Sequence, residues 1–206
     1  MFNLTLTELR KYVKFMIDQV ADDERIEGLL KPETELERVI IRVPEFRKGL
    51  LWGVPRYGHP EGQIVMHIPE VYANIEKLGV DKETRRKLRL IALVHDTFKY
   101  AEDRNHPRDW SKHHGILARQ FAEQYITEQD VLEILELHDE AYYIWRLFEL
   151  YHHPEKGQKR LDNLVARLGD SLQLYFYFFK CDTQTGDKTQ APLVWFEKIV
   201  TAIPTK

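Results

Sequence analysis

The stretch Leu88-Arg89-Leu90-Ile91-Ala92-Leu93-Val94-His95-Asp96-Thr97-Phe98-Lys99 determines how this chain is interpreted. Apart from Arg89, its first seven residues are apolar, which predicts a helix buried on nearly all sides. His95 and Asp96 follow side by side. Burying an unpaired carboxylate is costly, and a divalent cation bound by imidazole and carboxylate removes that cost. The alternative is a helix that reaches the surface at Val94 and leaves both side chains in solvent, and the other histidines decide between the two.

The composition is typical of one globular protein domain. The chain has 206 residues, of which 43% are hydrophobic and 12% aromatic, enough for a substantial core. The net charge of −3 argues against an electrostatic nucleic-acid binder. A single cysteine excludes an internal disulfide, and neither a signal peptide nor a membrane-spanning run is recognisable. These features predict a cytoplasmic protein with one domain over 1–206 and no membrane partner.

Helical periodicity runs through almost the whole chain, and no segment has the pattern of a hairpin or a βαβ unit. Thr5 and Glu8 fit a capping box at the start of a first helix. The segment 51–62 is rich in glycine and proline and predicts a loop. Further helices are predicted at about 33–42, 64–78, 82–100, 111–125, 128–138, 140–151, 158–181 and 191–201. The predicted fold is therefore all-α.

Several predicted helices carry a histidine or an aspartate on their apolar face. His67 lies at helical spacing from Ile64 and Val71, although a lone histidine there is more often a core residue than a ligand. On the helix at 111–125, His114 shares the apolar face, so His113 is expected to face solvent. The inward-facing candidates together are His67, His95, Asp96, His114, His138 and Asp182. Such a set is hard to explain as core packing, and it indicates a metal site.

This ordered set resembles the HD-domain phosphohydrolase superfamily, which is named after its His-Asp pair. That superfamily uses the order H…HD…D for one metal, with two intervening histidines where there are two metals. The resemblance is closest to the HD domain of bacterial CCA-adding enzymes. The segments that carry it are His59-Pro60-Glu61, His95 to Lys99, His114-Gly115 with Ala118, and His138-Asp139. It covers about residues 55–188, but the chain has no nucleotidyltransferase signature, and the loop 101–112 is unmatched.

The resemblance implies a multi-helix bundle with a metal site in its core and hydrolysis of a phosphate ester by a metal-activated water. The residues it assigns to a first divalent cation are His67, His95, Asp96 and Asp182. Those for a second cation, if present, are Asp96, His114 and His138. Whether the metal is Mn, Fe, Ni, Co, Mg or Zn is left open.

Other residues are assigned to substrate. Lys99 follows His95 by one turn and is expected to bind phosphate and to contribute to catalysis together with Asp96; the alternative is a solvated lysine at a helix end. Arg56 and His59 are expected at the mouth of the site, with ordinary loop polarity as the alternative. Weaker candidates are Lys180, Asp187 and Lys188, and surface positions are expected for His106, His152 and His153.

The implied substrate is a small phosphorylated molecule: a phosphomonoester, a cyclic phosphodiester or a nucleotide. Two other functions also fit the sequence. One is a di-iron oxygenase of the HD type, which would need redox-active iron. The other is a metal-stabilised binding module that has no catalytic activity.

Overall fold

The computed structural model describes residues 23–103, 105, 107 and 109–203. In this part of the chain the only β-type pairing is an isolated bridge between Arg56 and His59, so the predicted all-α fold is confirmed. The helices are α1 (23–30), α2 (Glu35–Arg42), α3 (Pro44–Leu50), α4 (Ile64–Glu76), α5 (Lys82–Val94), α6 (His114–Ala122), α7 (Gln129–Leu137), α8 (Glu140–Glu149), α9 (Pro154–Leu168), α10 (Leu172–Thr183) and α11 (Ala191–Ala202). The predicted capping box at Thr5 and Glu8 lies outside the described residues.

The second half of α5 is buried as its apolar sequence predicts. Every residue from Leu88 to Val94 is buried, including Arg89, which is 4% exposed. The Arg89 Nε donates to Glu37 Oε1 at 3.1 Å, and its guanidinium lies 4.0 Å from the ring centroid of Tyr72. A buried charge is tolerated only when it is paired and hydrogen-bonded, and here both conditions are met.

Helix boundaries differ from the prediction at several places, and local causes explain some of the differences. α5 ends at Val94 instead of 100, and the buried Thr97 hydroxyl donates to the Val94 carbonyl at 2.9 Å where the chain turns. The predicted long helix 158–181 is two helices, because Gly169 has φ +48° and ends α9. The predicted helix at 33–42 ends at Arg42 as expected, and Pro44 then begins a further helix, α3, which was not predicted; the missing N–H of proline is tolerated at a first helical position.

The packing of the helices gathers the ends of several elements around α5. This helix contacts α4, α7 and α10, and α6 packs on α7. The approach of α6 to α7 is close, since a Cβ on Gly115 would lie 2.6 Å from the Glu136 carbonyl oxygen. Glycine at 115 therefore allows the neighbouring His114 to approach the end of α7.

One hydrophobic cluster extends through the described chain from Ile26 to Phe196. It includes residues from both the N-terminal and the C-terminal helices, as a single domain would require. The extent of that domain, 1–206, stays a prediction. No helix in the described ranges is both long enough and apolar enough to cross a membrane.

Candidate metal centre

The six side chains that the sequence assigns to metal lie together in the interior. His67 comes from α4, His95 and Asp96 from the end of α5, and Asp182 from α10. His114 begins α6, and His138 is the residue that ends α7. Five of the six residues are between 1% and 3% exposed, and the Asp182 side chain is 18% exposed. The solvent-exposed alternative for His95 and Asp96 is therefore wrong.

The six side chains form two groups that share Asp96. In the first group, Asp182 Oδ1 lies 2.8 Å from His67 Nε2 and 3.7 Å from His95 Nε2. His95 Nε2 is also 3.5 Å from Asp96 Oδ2. In the second group, Asp96 Oδ1 lies 3.5 Å from His114 Nε2 and 3.4 Å from His138 Nε2. One carboxylate thus faces both groups with different oxygens.

Two of the four histidines are oriented by the backbone of their own helix. His95 Nδ1 lies 3.0 Å from the Ala92 carbonyl oxygen, and His138 Nδ1 lies 2.9 Å from the Leu135 carbonyl oxygen. Because a carbonyl oxygen only accepts, each ring donates from Nδ1. Nε2 of both rings is thereby directed into the cluster.

The outer nitrogens of the other two histidines face carboxylates from loops. His67 Nδ1 lies 3.1 Å from Glu61 Oε1, and His114 Nδ1 lies 3.0 Å from Glu102 Oε1. Such a carboxylate on the outer nitrogen fixes the tautomer and orientation of a metal-binding histidine. Neither role was predicted: Glu61 belongs to the His59-Pro60-Glu61 segment, whereas Glu102 has no recognisable pattern around it.

The buried polar atoms of this cluster fit a bound cation. His95 Nε2 and Asp96 Oδ1 are buried and have no hydrogen-bond partner in the described structure. His114 Nε2 and His138 Nε2 lie 3.0 Å apart, and two such nitrogen lone pairs repel unless a proton or a cation lies between them. Imidazole and carboxylate together suit first-row divalent metals, so the residues present fit the group that the sequence implies.

The charged groups of the cluster shift one another's pKa values. Burial lowers the pKa of His114, but the neighbouring carboxylates of Asp139, Asp96 and Glu102 outweigh this and raise the pKa to about 10. Burial raises the pKa of Asp96, but the charges of His95 and Lys99 hold it well below its usual range. These shifts favour ionised carboxylates and a protonated His114 in the metal-free cluster, so a cation would compete with a proton for this histidine.

Two lysines contact the carboxylates of the cluster. Lys99 Nζ donates to Asp96 Oδ2 at 2.5 Å, and its side chain is 17% exposed, so the solvated alternative is wrong. Lys188 Nζ donates to Asp182 Oδ1 at 2.9 Å. Lys188 was only a weak candidate, since nothing in a charged segment after a helix shows that one lysine turns back to the site.

The two loop residues assigned to substrate lie in different places. His59 lines a cavity of about 340 Å³ that opens onto Lys99, His138 and Asp182. Arg56 does not line this cavity; its guanidinium is 5.9 Å from the Trp52 ring centroid. The described structure therefore brings His59, but not Arg56, to the site.

The expectation that His113 faces solvent is wrong. The helix begins at His114 and not at 111, so His113 is its N-cap and the argument from helical phase does not apply to it. His113 is 7% exposed; its Nδ1 accepts a hydrogen bond from the Gly115 N–H at 3.1 Å, and its Nε2 lies 3.2 Å from the Tyr143 hydroxyl. His152 and His153 are exposed as expected, and His106 lies outside the described residues.

The remaining weak candidates, Asp187 and Lys180, do not contact the cluster. Asp187 Oδ1 accepts a hydrogen bond from the Gly58 N–H at 2.5 Å, which ties the segment after α10 to the loop before α4. Lys180 Nζ lies 3.9 Å from Glu197 Oε1 on α11, away from the cluster.

Comparison with known proteins assigns the family. The sequence model of the HD domain matches residues 64–173, which is more than half of the chain. Neither a curated protein nor a solved structure matches. The matched segment contains five of the six clustered residues and ends before Asp182, whose place in the cluster rests on the geometry above. The chain therefore belongs to the HD-domain family, a superfamily of metal-dependent hydrolases.

Proposed function

We propose that this protein is a metal-dependent phosphohydrolase that hydrolyses a small phosphate ester. In this proposal a first divalent cation is held by His67, His95, Asp96 and Asp182, and a second by Asp96, His114 and His138. The substrate is a phosphomonoester, a cyclic phosphodiester or a nucleotide. A closer relation to CCA-adding enzymes has no support from the comparisons, and the proposal does not depend on it.

The observation that carries the proposal is the position of Asp96. Its carboxylate is buried, one oxygen lacks a hydrogen-bond partner, and Nε2 atoms of three histidines lie within 3.5 Å of it. Oδ2 accepts a hydrogen bond from Lys99, but leaving Oδ1 buried without a hydrogen bond would be costly in the absence of a cation. Metal bound there lowers the pKa of a coordinated water and neutralises charge on phosphoryl oxygens.

The side chains around the cluster supply the rest of the chemistry. Lys99 and Lys188 line the cavity and place two ammonium groups beside the cluster, where they can bind phosphoryl oxygens as point charges. His59 Nδ1 donates to Glu61 Oε1 at 3.0 Å, which holds the His59 ring at the cavity wall. These groups orient the phosphate; the buried helices behind them exclude water from the other side.

The proposal is tested by screening phosphate monoesters, cyclic nucleotides and nucleoside triphosphates with several divalent metals. Hydrolysis should depend on metal and be abolished by a chelator. Lys99→Ala should lower kcat/KM by about 30- to 1000-fold, because one charge-assisted contact to the transition state is lost. Lys82→Ala, at the exposed start of α5, is the control and should leave kcat/KM unchanged.

Metal content is measured on the same samples, because Lys99 is the partner of Asp96. Loss of metal in Lys99→Ala would show that this lysine orients Asp96 and does not bind phosphate. Metal-loaded protein without any hydrolysis would support the binding module instead. Oxygen consumption by iron-loaded protein would support the oxygenase.

A further inference from the structure

The cavity beside the metal centre extends along one face of α8. The residues of this face are Asp139, Tyr142, Tyr143 and Arg146, all of which line the cavity. Their spacing of three and four residues places them in one stripe on a helix. Ala141 and Ile144, between them in sequence, are fully buried in the core. α8 therefore packs through an apolar face and presents a polar and aromatic face to the cavity.

The stripe has one end at the metal centre and one end remote from it. Asp139 Oδ2 lies 3.3 Å from His114 Nε2, which places the start of α8 at the cluster. Arg146 follows Asp139 by seven residues, and at the rise of an α-helix this corresponds to about 10 Å along the axis. The rings of Tyr142 and Tyr143 lie between the two ends.

The charge of Arg146 is not matched by a carboxylate in the described structure. Lys99 and Lys188, the other two cations of the cavity, each contact a carboxylate of the cluster. Arg146 instead lies against two rings, 5.6 Å from the centroid of Tyr142 and 4.9 Å from that of Tyr151. Its Nη2 donates to the Tyr151 hydroxyl, and contacts of this kind leave the positive charge available to an anion.

We propose that Arg146 is a second anion-binding site, at the end of the cavity remote from the metal centre. The ligand is a phosphate ester whose organic part is a flat ring and bears a second anionic group at its far end. The tyrosine rings contact the spacer, and the guanidinium binds the far anion with charge-assisted hydrogen bonds. The assignment of the phosphate end rests on the proposed function, whereas the assignment of the far end rests on α8.

The test uses (naphthylmethyl)phosphonates with and without a carboxylate at the far end of the ring. In these probes a P–C bond replaces the ester oxygen, so they cannot be hydrolysed as esters. Their dissociation constants are measured by calorimetry on the metal-loaded protein. The carboxylated probe should bind about 10- to 100-fold more tightly than the plain probe. In Arg146→Gln this preference should fall to within about threefold of equality, while the plain probe binds as before.

Two variants control for charge and folding. Lys159→Gln removes an exposed positive charge on α9 and should keep the preference. Arg146→Lys retains the charge, should keep part of the preference, and reports on the site even if Arg146→Gln folds poorly. Equal binding of the two probes, no binding of either, or an unchanged preference in Arg146→Gln would overturn the proposal.

The same experiment separates this inference from the proposed function. A chelator should weaken both probes equally if metal binds the phosphonate. A preference that depends on Arg146 but binding that ignores the chelator would support the far anion site and contradict the phosphate assignment. Binding that depends on metal but shows no preference for the carboxylated probe would support the phosphate assignment and contradict the far anion site.

Discussion

The four histidines of the cluster fall into two pairs that are oriented by different means. His95 and His138 end α5 and α7, and each donates to the carbonyl oxygen three residues earlier in its own helix. His67 and His114 instead contact Glu61 and Glu102, which lie in loops outside the helices that carry them. The first pair is placed by local backbone, and the second pair depends on segments that are separate in the fold.

This difference separates what is rigid in the site from what is adjustable. A bond to the histidine's own helix forms whenever the helix forms, so substitutions elsewhere have little influence on it. A carboxylate in a loop can be removed without changing any helix. It also contributes negative charge next to the histidine, which raises the basicity of the nitrogen that faces the cluster.

The largest effect is expected at Asp96, the residue that contacts both pairs. Asp96→Asn keeps the shape of the side chain but removes the charge that two cations would share. We expect metal affinity to fall by more than about 100-fold at both positions, since a direct ligand should matter more than the residue behind it. Metal content is measured by elemental analysis after dialysis. Asp162→Asn, exposed on α9, is the control, and equal metal content in all three proteins would contradict the metal site.

A smaller effect is expected from Glu61→Gln and Glu102→Gln, because each of these carboxylates contacts only one histidine of the second pair. Each should weaken the binding of one cation by about 10- to 100-fold and leave the other nearly unchanged. Glu61→Gln should affect the cation near His67, and Glu102→Gln the cation near His114. Competition with a coloured chelator measures both affinities. If both variants weakened the same cation, the two loop carboxylates would not serve separate positions.

The smallest effect concerns acid stability of the metal-free protein. Burial raises the pKa of Glu61, but hydrogen bonds with His67 and His59 outweigh it and lower the pKa to about 2 from an ordinary 4.5. The pKa of Glu102 is also lowered to about 2, where burial is outweighed by hydrogen bonding to His114. A carboxyl group whose pKa is lowered by folding stabilises the folded state at pH values above its pKa in the unfolded chain. This stabilisation is lost as the pH falls toward its pKa in the folded state.

The free energy of unfolding should therefore decrease between about pH 4.5 and pH 2 in the wild type. In Glu61→Gln the decrease should be shallower, because one of the contributing carboxylates is absent. Urea denaturation at a series of pH values measures this. If the free energy of unfolding of the variant decreased as steeply as that of the wild type, Glu61 would contribute nothing to the loss of stability in acid.

The sequence identifies all six side chains of the cluster but not the loop carboxylates that contact His67 and His114. An apolar run that ends in histidine identifies His95 and His138, because the pattern and the bond that orients the ring belong to the same helix. The partner of His114 could not be found this way, since Glu102 lies in a loop without periodicity. His113 was misplaced because its helix starts later than the pattern suggests.

The fold shows the same division between local and non-local information. Helical periodicity predicts most of the helices correctly, since each repeats its apolar side chains along one face. It does not show the break at Gly169, where a single residue with positive φ interrupts an otherwise continuous pattern. The cavity-facing stripe of α8 was also missed, because aromatic side chains on a helix usually indicate core.

The contact between His67 and Asp182 has a consequence for the unfolded chain. The two residues are 115 positions apart in sequence, yet Nε2 of one lies 2.8 Å from Oδ1 of the other. A cation bound by both, as proposed, would act as a reversible cross-link that closes a very long loop, and long loops restrict the entropy of the unfolded chain most. Digestion by a protease, which cleaves opened chains, would then report cation occupancy without any substrate being known.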